Sequence, residues 1–133
     1  MHPHVIGVQT TTPTIRQAIK VAKNAKEGVP DACVVLRGYH VSFLQEETMK
    51  ECPGVDICVR GEAEYTMLEL MQTLNGKINL KDVLGITFRQ GERIYSNPSR
   101  PFICKLDDLP FLDRHLFPMK AYKVFNVAYP AAK

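Results

Sequence analysis

Apolar residues recur along this chain in two alternating rhythms. Val5-Ile6-Gly7-Val8-Gln9 is a short, nearly continuous apolar run that breaks at Thr10-Thr11-Thr12-Pro13, with Thr12 as the expected N-cap and Pro13 opening a helix. Ile15, Ala18, Ile19, Ala22 and Ala25 then repeat at spacings of three and four, and Arg16, Lys20, Lys23 and Lys26 take the opposite side. The same alternation returns twice. Ala32-Cys33-Val34-Val35-Leu36 is a second strand, followed by a helix to about Glu51 with Ser42 and Gln45 as a capping box. Val55-Asp56-Ile57-Cys58-Val59 is a third, followed by a helix from Glu62 to Leu74 that Asn75-Gly76 closes. Strands apolar on both faces, alternating with helices, predict an α/β fold: a parallel sheet between helical layers, Rossmann-like or flavodoxin-like.

After Gly76 the rhythm changes. Leu84-Gly85-Ile86-Thr87-Phe88-Arg89 and Arg93-Ile94-Tyr95-Ser96 flank Gln90-Gly91-Glu92, the pattern of a β-hairpin added at a sheet edge. From residue 97 onward come five of the nine prolines, Pro98, Pro101, Pro110, Pro118 and Pro130, which suits an extended arm. The expected division is an α/β domain with its hairpin over residues 1–96 and a connecting arm over 97–133.

Composition narrows the possibilities. With 133 residues, of which 45% are apolar and 23% charged, the chain can build one core rather than two. Its net charge of +3 is scattered along helices, which argues against nucleic acid. There is neither a membrane-span-length apolar run nor a signal-peptide start, so a cytoplasmic protein is expected. The four cysteines form no CxxC pair, and Cys33 and Cys58 fall inside strands, where a free thiol packs as a small apolar group. His2, His4 and His115 lack partners at metal-site spacing, so no metal site is expected.

Ligands of an open parallel sheet bind beyond the C-terminal strand ends, where residues 10–12, 37–40 and 60–64 should converge. Gly38 and Gly61 allow close backbone approach, threonine hydroxyls donate and accept, and helix N-termini offer amide donors. Simpler roles stand beside these: helix capping accounts equally for Thr12, and favourable placement near a helix N-terminus accounts for Glu62 and Glu64. A phosphorylated receiver domain would need clustered acidic residues at strand ends, but Asp56 lies at the opposite end of its strand. No Ser, Cys or Lys has a base beside it by sequence, so no catalytic residue is assigned.

Taken together, three segments resemble the N-terminal cobalamin-binding domain of radical S-adenosylmethionine enzymes. They are Val5-Ile6-Gly7-Val8-Gln9-Thr10-Thr11-Thr12-Pro13-Thr14, Val34-Val35-Leu36-Arg37-Gly38-Tyr39-His40-Val41-Ser42-Phe43 and Val55-Asp56-Ile57-Cys58-Val59-Arg60-Gly61-Glu62-Ala63-Glu64. Leu106-Asp107-Asp108-Leu109-Pro110-Phe111 and Asp113-Arg114-His115-Leu116-Phe117-Pro118 resemble the arm leading into that family's catalytic barrel. The family includes enzymes similar to the anaerobic magnesium-protoporphyrin monomethyl ester cyclase and cobalamin-dependent methyltransferases. The resemblance implies a partial cobalamin-binding domain, with Thr10, Thr11, Thr12, Gly38, His40, Gly61, Glu62 and Glu64 facing the cofactor. It further implies that a [4Fe-4S] cluster and S-adenosylmethionine belong to a barrel outside this sequence, so this chain should not be catalytic alone. Two strand-helix units of the family's domain would precede residue 1. Arg37 stands where the family has Gly and would crowd the groove for the nucleotide tail; Ala63 also replaces a family Gly. The alternative is a docking or structural module of the same fold that does not bind cobalamin. With the preceding strands missing, the 5–9 strand should sit at an open edge, as a homodimer contact or covered by the arm.

Overall fold

The computed structural model describes residues 2–118, which divide at Phe102 into two units. In the first, five strands form one sheet in sequence order: β1 (Val5–Gln9), β2 (Cys33–Arg37), β3 (Ile57–Val59), β4 (Ile86–Gln90) and β5 (Arg93–Ser96). β1, β2 and β3 are parallel, and β4 and β5 form an antiparallel hairpin continuing the sheet from β3. The expected parallel α/β core and edge hairpin are present, making the sheet as a whole mixed. β1 is the other edge strand and pairs only with β2 among the described residues.

Side-chain alternation sorts the strands into two faces. Val34, Leu36 and Cys58 point to one, where α1 (Ile15–Gly28) contributes Ala18 and Ala22. Val41 from α2 (Tyr39–Phe43) and Met49 from α3 (Gln45–Glu51) complete that layer. Alanines at i and i+4 let the α1 backbone lie close to the strands. Val35, Ile57, Val59, Ile86 and Phe88 point to the other face and meet Leu70 of α4 (Glu64–Leu74), with Val83 from the following loop. Phe88 and Tyr95 stack at 5.5 Å between ring centroids.

Several local expectations move. The N-cap is Thr11, not Thr12, because a 3-10 turn over Thr12–Thr14 precedes α1. Its backbone N–H donates to Thr14 Oγ1 at 2.9 Å. Ser42 does not cap α3: a break at Leu44 separates α2 from α3, and the Ser42 hydroxyl lies inside α2 and donates to the Gly38 carbonyl at 3.0 Å. The third strand is shorter than its apolar run, since Asp56 turns its carboxylate back to accept the Val34 N–H at 2.7 Å. Lys26 leaves the solvent side for the same place, with Nζ 2.6 Å from Asp56 Oδ2 and donating to the Ala32 carbonyl at 2.8 Å. The final helix starts at Glu64 rather than Glu62. It ends as the sequence predicts: Gly76 takes a φ of +69°, and the amides of Gly76 and Lys77 donate to the carbonyls of Thr73 and Gln72. In the second unit, short 3-10 turns occupy Leu106–Asp108 and Arg114–Leu116. The last part of the expected arm, residues 119–133 with Pro130, lies outside the described residues.

Candidate functional site at the C-terminal edge of the sheet

Parallel strands deliver their following loops to one edge, so residues 10–12, 38–40 and 60–63 are neighbours by topology. Hydrogen bonds tie these loops together. The Thr10 amide donates to the Arg37 carbonyl at 2.7 Å, and His40 Nδ1 lies 3.3 Å from Thr12 Oγ1. The Gly61 amide donates at 3.0 Å to Ser42 Oγ, which in turn donates to the Gly38 carbonyl. Ser42 therefore links the second and third loops, a role its sequence position does not reveal.

Gly38 has a structural requirement of its own. Its φ is +117°, and a Cβ there would overlap the carbonyl oxygen of Thr10. Only glycine lets the two loops meet this closely. Thr10 is buried, and its hydroxyl has no hydrogen-bond partner among the described residues. Such an atom forgoes about 1–3 kcal/mol unless something else satisfies it.

Beside the loops, the α4 face of the sheet is only half covered by the described residues. α4 shields β3 and β4, and a groove of about 470 Å³ remains over β1 and β2. Gly7 and Val35 contribute to its floor, Ala63 and Met67 to the α4 side, and Gln9, Arg37 and Glu64 add polar groups. A Cβ on Gly7 would meet nothing within 4 Å. The Arg37 guanidinium donates to Gln9 Oε1 at 3.1 Å on the same strand ends. Of the predicted residues, Thr10, Thr12, Gly38, His40 and Gly61 belong to the bonded loop cluster. Thr11 caps the turn before α1, Glu64 reaches the groove as the first residue of α4, and Glu62 lies between Gly61 and Ala63, half-buried. Gly7, Gln9, Val35 and Met67 were not among the sequence candidates. Their signal is alternation: positions 7 and 9, and 35 and 37, share one face, with a mid-strand glycine marking close approach.

Cys33 and Cys58 lie within β2 and β3 rather than in these loops. Burial pushes the Cys58 thiol up to about 12, with Arg89 pulling the other way. Burial, and then Asp56, push Cys33 up to about 11. Both are held as neutral thiols at neutral pH. Among the described residues no group of three or more His, Cys, Asp or Glu could hold a metal ion, and no helix is long and apolar enough to cross a membrane.

An α/β sheet with tied loops at its C-terminal edge and an open groove beside them defines a ligand-binding domain of the doubly wound class. The B12 binding domain family matches residues 1–71, and the chain belongs to that family. It is 38% identical over 127 residues to an uncharacterized methyltransferase of Pyrococcus horikoshii, covering 96% of this chain and 28% of that protein. It is also 31% identical to the anaerobic magnesium-protoporphyrin IX monomethyl ester cyclase of Cereibacter sphaeroides, covering 82% of this chain and 18% of that enzyme. The chain thus spans less than a third of the length of these relatives. Among solved structures, the radical S-adenosylmethionine methyltransferase TsrM from Kitasatospora setae, with cobalamin and a [4Fe-4S] cluster bound, superposes with a TM-score of 0.65. At 16% identity, over 80% of this chain and 20% of that one, the likeness is one of fold.

Proposed function

We propose that this chain supplies the cobalamin-holding edge of a larger cytoplasmic radical S-adenosylmethionine enzyme whose catalytic barrel lies outside this sequence. The observation carrying the proposal is the pairing of the tied loop edge with the half-covered sheet face. A corrin with its nucleotide is too large for about 470 Å³, so the groove takes one arm of the cofactor while the loops meet its periphery. The residues fit that role. The buried Thr10 hydroxyl lacks a partner among the described residues, and Gly7 leaves space above β1. His40, Thr12 and Gly61 present polar groups and backbone at the edge, with Glu62 and Glu64 beyond them. Thr11 acts indirectly, by fixing the turn that places Thr12. Cobalamin would supply cobalt-centred group-transfer chemistry; the residues here bind and orient it. The cluster and S-adenosylmethionine would belong to the barrel, which is the principal partner. The edge of β1 that is unpaired among the described residues suits a further strand, from a preceding segment or a second copy.

Hydroxocobalamin titrated into the chain should give a saturable change in its visible spectrum and remain with the protein through gel filtration. Absence of both at millimolar cofactor would reject binding by this chain. One observation favours a second reading, a docking module of the same fold without cobalamin: the Arg37–Gln9 hydrogen bond at the groove. Arg37→Gly separates the two readings. A tighter complex shows that Arg37 only narrows a working groove; no complex in either form favours the docking module.

A further inference from the structure

The hairpin has a topological consequence for where the chain leaves the sheet. β4 runs back from the C-terminal end of β3, and β5 returns parallel to it, so Asn97 emerges at the same edge as the three loops. Its exit is held by backbone and side-chain hydrogen bonds. The Asn97 amide donates to the Ile86 carbonyl at 3.0 Å. Its side-chain amide donates to the carbonyls of Val83 at 2.8 Å and Leu80 at 2.9 Å. Its own carbonyl accepts from the Arg60 guanidinium, which also donates to Ile86. One residue further, the Gly85 amide donates to the Pro98 carbonyl at 2.8 Å. Arg100 then folds onto α4, donating through Nε to Thr66 Oγ1 at 2.8 Å and pairing with Glu69. Arg60 directly precedes Gly61, whose amide is bonded to Ser42. A continuous set of contacts therefore joins the exit to the second and third loops.

We propose that Arg60, Asn97 and Arg100 are positioning residues that fix the point and direction at which the chain leaves the sheet, in register with the loop edge. Whatever follows Pro101 then starts from a set place beside the proposed cofactor, rather than from a free tether. The bearing on cofactor chemistry rests on the cobalamin reading; the fixed exit does not, and its test uses no cobalamin.

Spin labels at Thr12→Cys and Phe102→Cys, with Cys104→Ser, give the distance distribution between the loop edge and the exit. A single narrow distribution is expected, together with slow exchange of the Gly85 amide. Arg100→Ala should broaden the distribution and speed Gly85 exchange by ~tenfold or more, while the Val34 and Leu36 amides keep their protection. Arg100→Lys, which keeps the charge but loses the planar fork, should fall between them. If Arg100→Ala does not fold, broadening in Arg100→Lys decides the matter. A broad distribution in the unaltered exit, or a distribution unmoved by either substitution, overturns the proposal.

Discussion

The two faces of the sheet are built from the same strands and treated differently. Under α1, α2 and α3 the strand side chains are sealed: Val34, Leu36 and Cys58 have no exposed surface. On the α4 face the seal covers β3 and β4, while Gly7, Gln9 and Arg37 of β1 and β2 stay open to solvent. Both faces supply burial, the first across all three parallel strands and the second over β3 and β4 alone. The part left open over β1 and β2, where the proposed ligand would lie, costs little because its open positions are a glycine and two polar residues rather than large apolar ones.

Substitutions on each face test this contrast. The largest effect belongs to the sealed face, where Leu36→Ala removes a fully buried side chain and should cost about 3 kcal/mol in denaturant unfolding. Gly38→Ala tests the junction of the faces with the loops. The left-handed φ and the collision with the Thr10 carbonyl should together cost at least about 2 kcal/mol, and binding should fall more than stability does.

A smaller effect follows from the buried thiols. Cys58 is held up to about 12 and Cys33 up to about 11, against an ordinary 9.0. The unfolded chain therefore loses these protons first as pH rises. The thiols' contribution is fully present below pH 9 and is lost progressively between pH 9 and 12. For Cys58 the loss should reach about 1 kcal/mol by pH 10. Comparing urea midpoints of the unaltered chain and Cys58→Ala across that range isolates the effect, since the variant should show a shallower alkaline decline.

The smallest stability effect is expected on the open face. Gly7→Ala adds a methyl group into free space and should change stability by less than ~0.5 kcal/mol, yet weaken cobalamin binding by roughly fivefold by narrowing the groove. Equal loss of binding and stability would show that Gly7 serves the fold alone.

The sealed face was the more legible of the two in the sequence. Three apolar runs, the three-and-four spacing of α1 and the turn at Gly91 placed the strands, the principal helix and the hairpin, because burial imposes periodicity. Boundaries shifted where one polar side chain overrode the local pattern. Asp56 shortened its strand by accepting a backbone amide of β2, and Lys26 left its helix's solvent side to pair with it. Ser42 has a capping signature but uses its hydroxyl to join two loops, a contact that depends on Gly61, 19 residues away. The loop residues were legible as an edge through strand polarity. The groove was legible only in part: a glycine and two polar residues on one face of β1 and β2 mark an open surface, but that α4 lies over β3 and β4 and stops short of them is a matter of tertiary packing that leaves no local mark.

Amide hydrogen exchange with and without hydroxocobalamin tests the proposed binding at the loop edge and open face most directly. Cobalamin should slow exchange at Thr10, Gly38, Gly61 and the N-terminal turn of α4, and leave Ala22 and Met49 on the sealed face unchanged. Slowing confined to α1 and α3, or the same small change across both faces, would contradict that binding.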